Sequence, residues 1–398
     1  MSAPPESPTK LLIYSHAFPP SLGGVETSVL SLATGLCLLP PVRGSFEVTV
    51  VTNTARGEHD DSSYLFRVVR GPGARQLFRA IRASDIVHVA GPALLPMFFC
   101  WLAKKPFVVE HHGYQAICPN GLLLQLPESR ICPGYFQQGA LHRCLRCGAA
   151  ERSTARSAFR VVTTFLRRAL SRRASANIAI TDHVLRRHAL PRATRIYYGI
   201  ENLEWGPRTP RPDGRAFEFV FVGRFVPEKG IDLLLQAAQQ LVLRGLDFQV
   251  HLVGDGPERA RIEQRIAQLQ LGSIVHCVGP LRGPDLAQFV LRTGAMVMPS
   301  VWEEAAGLSA IEQLMRGRLV IASDAGGLPE VVGSAGLLFP AGDAAALAEQ
   351  MFKAATSPAL VAELENSARA RAVELFSWNR AVADHADVYR RVLSGNPA

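Results

Sequence analysis

The 398-residue chain has no apolar run long enough to read as a membrane-spanning helix. Its longest candidate window, roughly Ile86–Ala103, is broken by Gly91, Pro92 and Pro96 and falls short of the ~20 residues a bilayer core requires. Near the N-terminus a single Lys precedes a short apolar run, Leu11–Tyr14, with no small-residue cleavage site, so this segment does not read as a signal peptide. An odd total of seven Cys without an export signal argues against a disulfide framework. No internal repeat or low-complexity tract interrupts the chain. No recognition helix, zinc-finger or RNA-binding-sheet motif accompanies its charge. These absences argue against a helical membrane protein, a stapled secreted domain and a nucleic-acid binder, and lead us to expect a cytoplasmic protein.

What is present is bulk, modest positive charge and strand–helix alternation. An apolar content of 48% over this length suffices for two domains with full cores. The formal charge of +9 favours anionic partners, whether phosphates or anionic lipid.

The most informative stretch runs from Met296 to Glu330. An apolar run ends at Ser300, a Gly-punctuated turn follows, and a helical pattern extends from about Leu308 to Arg316 and stops at Gly317. Leu308, Ile311, Glu312 and Met315 share one face of that helix, so a carboxylate sits among apolar positions, which is costly without partners. Glu304 lies in the turn that feeds the helix. The N–H groups of Gly307 and Leu308 and the positive end of the helix dipole point into the same space. A loop carboxylate, a helix N-terminus and a second carboxylate suit a ligand with hydroxyls at both ends and an anion between them. The alternative is a solvated Glu304 and a structurally bonded Glu312.

The pattern Glu304-x-x-Gly307-Leu308-x-x-x-Glu312, followed by Gly317 and Ser323-Asp324-Ala325-Gly326-Gly327-Leu328-Pro329-Glu330, resembles the signature of glycosyltransferase family 4. Those are retaining enzymes that use nucleotide sugars. The resemblance implies an α/β fold of GT-B architecture, with two Rossmann-like parallel-sheet domains facing a central cleft. It implies transfer of a hexosyl group to a hydroxyl acceptor in polysaccharide, glycolipid or other glycoconjugate biosynthesis. By this likeness Glu304 contacts the donor sugar and Glu312 the ribose hydroxyls. Ala306 stands where the family usually has an aromatic residue and Leu319 where it usually has Pro, both beside the donor pocket.

Other segments fit the same family. Phe217–Val222 reads as a buried strand opening onto Gly223-Arg224 and Lys229-Gly230; Arg can fork across phosphate oxygens and Lys adds a mobile charge. In the family this pair binds the donor diphosphate. The Pro-x-x-Gly23-Gly24-x-Glu26 loop, between a first strand and a helix, is an anion-binding arrangement in chemical terms, and lies next to the diphosphate in relatives. His112 stands where the family has a His bordering the donor sugar. Catalytic roles are therefore expected of His112, Glu304, Arg224 and Lys229. Gly23, Gly24, Gly223, Gly307, Leu308 and Glu312 join Arg224, Lys229 and Glu304 in donor binding.

Two features lie outside the signature. Cys118, Cys132, Cys144 and Cys147 crowd into thirty residues and could chelate one structural zinc, with free thiols or a redox pair as alternatives. The stretch 151–174 carries seven Arg beside an apolar stripe of Val161, Val162, Phe165, Leu166, Ala169 and Leu170. It reads either as a membrane-surface helix or as a helix packing its stripe on the core.

The expected organisation is a disordered tail over 1–9, an acceptor domain over 10–206 with a Cys-rich excursion at 113–150, and a linker over 207–216. A nucleotide-sugar domain over 217–375 and a final helix over 376–398 that crosses back to the first domain complete it. No cofactor is expected beyond the donor, with a UDP-sugar favoured over a GDP-sugar. The acceptor is expected to be a sugar, a lipid-linked or another hydroxyl compound, with peripheral contact on the inner face of an anionic membrane. The competing readings are a nucleotide-sugar epimerase or other non-transferase sugar-nucleotide enzyme, and an anionic-surface binding module.

Overall fold

The structure, a computed structural model, describes residues 7–21, 23–40, 42–57, 59–126, 130–149, 153–202 and 216–395. The expected tail up to residue 6 and the expected linker up to residue 215 lie outside the described residues. The chain forms two compact units. One comprises residues 1–127, 132–201 and 376–398, the other residues 128–131 and 202–375.

The first unit alternates strand and helix: β1 (Thr9–Ser15), α1 (Gly24–Leu38), β2 (Phe46–Thr52), β3 (Arg67–Arg70), α2 (Ala74–Ala83), β4 (Ile86–Ala90), α3 (Leu94–Leu102) and β5 (Phe107–His111). Along the chain come two two-residue strands, β6 (Leu124–Gln125) and β7 (Arg130–Ile131), then α4 (Leu141–Ala149), α5 (Thr154–Ser171), β8 (Ala176–Ala179), α6 (Asp182–His188) and β9 (Ala193–Arg195). Seven of these strands make one parallel sheet in the order β3-β2-β1-β4-β5-β8-β9. Helices cover both faces, so β4 and β5 are buried at every position, as their near-continuous apolar sequences anticipate.

The second unit contains β10 (Phe217–Val222), α7 (Ile231–Leu243), β11 (Phe248–Val253), α8 (Arg259–Gln268), β12 (Val275–Gly279), α9 (Gly283–Arg292) and β13 (Ala295–Met298). Then follow α10 (Leu308–Met315), β14 (Leu319–Ser323), α11 (Leu328–Val332), β15 (Leu337–Phe339), α12 (Ala344–Thr356) and α13 (Pro358–Phe376). Its six strands are parallel in the order β12-β11-β10-β13-β14-β15. The core of this unit is built on Phe217, Phe219, Phe248, Leu234, Ile321 and their neighbours.

The last helix, α14 (Trp378–Leu393), belongs to the first unit and packs on α1. Trp378 Nε1 donates to the Ser31 carbonyl at 2.9 Å, and Ile200 forms a parallel bridge with Ser377. Among the described residues, no helix is long and apolar enough to cross a membrane.

The structure differs from the sequence reading in its local elements, beginning with β1, which starts at Thr9 inside the expected tail. Within the Arg-rich stretch, α5 begins at Thr154, capped by Ser153 accepting from the Arg156 N–H, and residues 151 and 152 lie outside the described residues. The short strand β9 and helices α8 and α9 were not anticipated, because β9 is three residues long and α8 is polar on most of its surface.

Each sheet reverses strand order once. The reversal lies between β1 and β4 in the first unit and between β10 and β13 in the second. Open parallel sheets bind ligands at such switch points, outside the carboxyl ends of the strands.

Candidate active site

In the second unit, the loops leaving β10 and β13 carry the expected donor-binding residues. The β10 loop passes Gly223 and Arg224 and tightens into a turn at Pro227–Lys229 that ends on Gly230. The β13 loop runs through Ser300 to Glu304 and enters α10 at Gly307. Backbone contact ties the two loops together: the Val301 N–H donates to the Glu228 carbonyl at 3.0 Å. Gly230 has φ +70, and a Cβ there would lie 1.9 Å from the Pro299 carbonyl oxygen. Only glycine permits both that conformation and that approach.

The result is a close pair. Lys229 Nζ lies 2.5 Å from Glu304 Oε1, and Ser300 Oγ donates to the same oxygen at 2.8 Å. Lys229 also sits 5.8 Å from the centre of the Trp302 ring. Glu304 is 5% exposed. Burial alone would raise its carboxyl, but Lys229 and Ser300 outweigh this and hold it below the usual range.

Glu304 is fixed from behind by the loop after β14. Its carbonyl accepts from the Gly327 N–H at 2.6 Å. At Gly326, with φ +68, a Cβ would lie 2.2 Å from that carbonyl oxygen. The Ser323–Glu330 part of the signature thus supports the Glu304 backbone rather than merely following it.

Helix α10 starts at Gly307, in a left-handed conformation with no side chain capping it. Ala310, Ile311, Leu314 and Met315 are buried, and Gly317, with φ +63, ends the helix as its spacing predicts. Leu308 and Glu312 are half-buried, one turn apart. Burial raises the Glu312 carboxyl, and Arg316 offsets this only in part. Arg224 is exposed. Glu304, Lys229, Ser300 and the α10 N-terminus therefore share one end of this sheet. The sequence reading missed Ser300, whose only signal was a hydroxyl directly after the apolar strand.

In the first unit, Gly23 is the N-cap of α1, with Gly24 its first residue and no side-chain cap, at that sheet's own switch point. At the end of β5 the structure adds a cluster the sequence reading did not identify. Glu110 is 2% exposed. Its Oε2 lies 3.2 Å from His88 Nε2 and 3.3 Å from His112 Nε2, and its Oε1 lies 3.5 Å from His385 Nε2 on α14. The Tyr389 hydroxyl meets His88 Nδ1 at 3.0 Å, and the Tyr198 hydroxyl meets His112 Nδ1 at 2.8 Å. A charged residue inside the run Phe-Val-Val-Glu-His was the available signal.

Burial opposes charge on every member, yet the histidines hold the Glu110 carboxyl well below its ordinary value. The Glu110 contacts raise His385 despite burial, while burial lowers His88 and His112. A Glu110 carboxylate with a His385 imidazolium satisfies these directions. Both nitrogens of the His112 ring face protein groups, so this imidazole is turned inward. His111 is structural: Asn177 meets its Nε2 at 3.0 Å, and burial pushes it down to about 4.

The zinc expectation finds no ligand set. None of the four is in a disulfide, and among the described residues no group of three or more His, Cys, Asp or Glu is arranged to hold a metal ion. Cys118 Sγ donates to Asn120 Oδ1 at 2.9 Å, and Cys147 Sγ contacts the Leu124 carbonyl at 3.6 Å. Burial pushes Cys144 up to about 12, with the neighbouring thiols adding to it. Cys147 Sγ also accepts from the Leu126 N–H at 3.4 Å.

Residues 207–371 match the family model described as glycosyl transferases group 1. The MMP alpha-(1->4)-mannosyltransferase of Mycolicibacterium hassiacum is 31% identical over 228 residues, which is 56% of this chain and 53% of that protein. The 2-deoxystreptamine glucosyltransferase of Streptomyces kanamyceticus is 34% identical over 175 residues, 44% of this chain and 45% of that one. The chain thus spans about half the length of these relatives. Among solved structures, Anabaena HepE in complex with UDP and glucose aligns with a TM-score of 0.72 at 18% identity, over 96% of this chain and 99% of its own. Sucrose-phosphate synthase from Thermosynechococcus elongatus aligns with a TM-score of 0.73 at 23% identity, over 97% and 100%. With its two parallel-sheet units, the chain has the two-Rossmann architecture of the GT-B fold.

Proposed function

We propose that the protein is a retaining glycosyltransferase that moves a hexosyl group from a nucleoside-diphosphate donor to a hydroxyl acceptor. The observation that carries this reading is the buried Glu304 carboxylate held against Lys229 at the switch point of the second sheet. A buried carboxylate with one face on a lysine and a serine keeps acceptor capacity for sugar hydroxyls. Lys229 and the exposed Arg224 supply mobile positive charge for the diphosphate. Negative charge grows there as the glycosidic bond breaks, so these cations favour the departing state over the bound one. The uncapped N-terminus of α10 adds N–H groups and a favourable dipole. Glu312 is assigned to the ribose hydroxyls. A UDP-linked donor is favoured because the HepE structure, which aligns over 96% of this chain, holds UDP.

The first unit is proposed to take the acceptor, which is a sugar, a lipid-linked or another hydroxyl compound. His112 and the Gly23–Gly24 turn are the first-unit residues assigned to the reaction; with its ring turned inward, His112 acts through its main chain.

A thermal-shift panel of nucleotide sugars and free nucleoside diphosphates tests the reading, because a ligand that binds the folded state raises its melting point by mass action. One nucleotide class should stabilise the protein, and the matching sugar donor should be consumed only with an acceptor present. No stabilisation by any nucleotide would overturn the assignment, and donor turnover without an acceptor would point to an epimerase instead.

A further inference from the structure

On the first unit, the outer faces of α3 and α5 are apolar and uncovered. On α3, Leu95, Phe98, Trp101 and Leu102 are 43–54% exposed, and on α5 Phe159, Val162 and Leu166 are 50–68% exposed, while Phe165 lies beside these on the Phe136 ring, centroids 4.5 Å apart. Leu95, Phe98 and Leu102 fall at i, i+3 and i+7, as do Phe159, Val162 and Leu166, so each set is one continuous helix face. The core-facing side of α5 is a different set, with Ser157, Val161 and Thr164 buried. The outer stripe is therefore surplus to the core. Between the two helices runs a groove of about 530 Å³ lined by Leu94, Phe98, Trp101, Leu166, Leu170 and Arg173.

The charge around this face has one sign. Residues 153–181 contain six Arg and residues 86–109 contain Lys104 and Lys105, and neither span contains an Asp or Glu. Arg156, Arg172, Arg173 and Lys104 are exposed. Long cationic side chains lay their stems along apolar surface and keep their heads in water, and Trp favours the membrane–water boundary. A monomer seldom leaves an apolar patch of this extent without a use. A second copy would bring the same cations against themselves, whereas an anionic lipid surface complements both the apolar stripe and its rim.

We propose that this two-helix face seats the first unit on an anionic lipid bilayer, with Phe98, Trp101, Phe159 and Leu166 at the boundary between headgroups and acyl chains. The binding energy comes from apolar area buried at that depth plus attraction of the Arg and Lys rim to lipid charge. The proposal deepens the proposed function by making the acceptor lipid-linked, and rests on that reading only for this point.

The test is flotation with vesicles of phosphatidylcholine alone and of phosphatidylcholine with phosphatidylglycerol, at low and at molar salt. The full chain should float with the anionic vesicles at low salt and be released at high salt. The Phe98→Ser/Leu166→Ser variant should lose partitioning by about tenfold or more. Each of Arg156→Gln and Arg172→Gln should lower it about fivefold on anionic vesicles. Melting points of the variants, and their stabilisation by a nucleoside diphosphate, report folding and the second-unit site independently of lipid. Failure to float in a protein that still binds nucleotide overturns this inference and leaves the function standing. Concentration-dependent dimerisation that the Phe98→Ser/Leu166→Ser variant abolishes overturns it as well, by assigning the face to a second copy.

Discussion

Lys229 Nζ and Glu304 Oε1 are 2.5 Å apart, although seventy-five residues separate them in sequence. The pair joins the two strands that flank the switch point of the second sheet, so each charge is neutralised while the site holds no phosphate. Under the proposed function, a diphosphate arriving at the Gly223–Gly230 loop would compete for Lys229 and leave Glu304 to bond sugar hydroxyls. The two residues should therefore respond differently to substitution. Lys229→Ala and Arg224→Ala should each lower turnover about 100-fold or more, since their charge is most needed as the diphosphate departs. Glu304→Ala should reduce transfer comparably while leaving free nucleoside diphosphate affinity nearly intact. Titrations with the diphosphate beside turnover measurements separate the cases. Unchanged turnover in all three variants removes the site.

Glu312 should behave in the opposite way. Glu312→Ala should weaken the free diphosphate and the sugar nucleotide alike, because both carry the ribose. Its carboxyl is raised by burial, so it protonates at a higher pH than an ordinary glutamate and then accepts fewer hydrogen bonds. Nucleoside diphosphate affinity should accordingly fall as pH drops from neutrality toward about 5, and the Glu312→Gln variant should lack that dependence. An identical pH profile in the variant would falsify the ribose assignment.

The backbone supports make a separate prediction. Gly326→Ala places a Cβ against the Glu304 carbonyl, and Gly230→Ala places one against the Pro299 carbonyl. Both demand a left-handed conformation from a residue with a side chain. Each should destabilise the second unit by about 1–3 kcal/mol and displace Glu304 or Lys229. Denaturant midpoints together with diphosphate titrations check this. Variants with wild-type stability and affinity would mean that the loops tolerate separation.

Much of this site was legible because its loops are set by glycines and charged residues at fixed spacings. The strands β4, β5, β10 and β13 were readable for a related reason: sheets covered on both faces leave near-continuous apolar runs. What could not be read is instructive. Nothing local says that Lys229 meets Glu304, since that contact depends on which strands become neighbours. The outward turn of Val162 and Leu166 was equally hidden, because an apolar stripe has the same period whether it faces a core or water. The Cys spacing allowed a zinc set, and only the fold shows that among the described residues no such group is arranged to hold a metal ion.

Stability of the first unit should fall on acidification. His88, His112 and His188 are lowered by burial, and His111 is pushed down to about 4. Each binds a proton in the unfolded chain near pH ~6.5 but resists it when folded, so each costs stability as pH falls below that value. His385 has the opposite sign. Its raised value contributes stability below about pH 6.5, lost as pH rises through the folded value. Four groups outweigh one, and the net slope is a loss toward acid. Hydrogen exchange of β4 and β5 amides at pH about 7.5 and about 5.5 reads this directly. Equal or greater protection at the lower pH contradicts it.

The remaining prediction concerns Glu110 and His385, which hold α14 to the sheet. Glu110 is a buried carboxylate whose compensating cation comes from His385, on a helix reached only after the chain has passed through the whole second unit. Removing the cation alone, as in His385→Leu, leaves the carboxylate buried without a counter-charge and should cost about 3–5 kcal/mol. Glu110→Gln removes the charge but keeps an acceptor for His88, so it should cost less, about 1–3 kcal/mol. Once Glu110 is neutral, His385 has no buried carboxylate to compensate and keeps only its Nδ1 contact with the Ala381 carbonyl, so the double variant Glu110→Gln/His385→Leu should be more stable than His385→Leu alone. A double-mutant cycle on denaturant midpoints gives the coupling. It should be large and favourable at pH about 6 and shrink as pH rises through the raised value of His385, because only the imidazolium pairs with the carboxylate. A coupling that stays constant with pH would mean that α14 is held by packing of Trp378, Val382 and Tyr389 rather than by this charge. His385→Gln, which keeps a donor toward Glu110, should recover part of the stability without restoring the pH dependence.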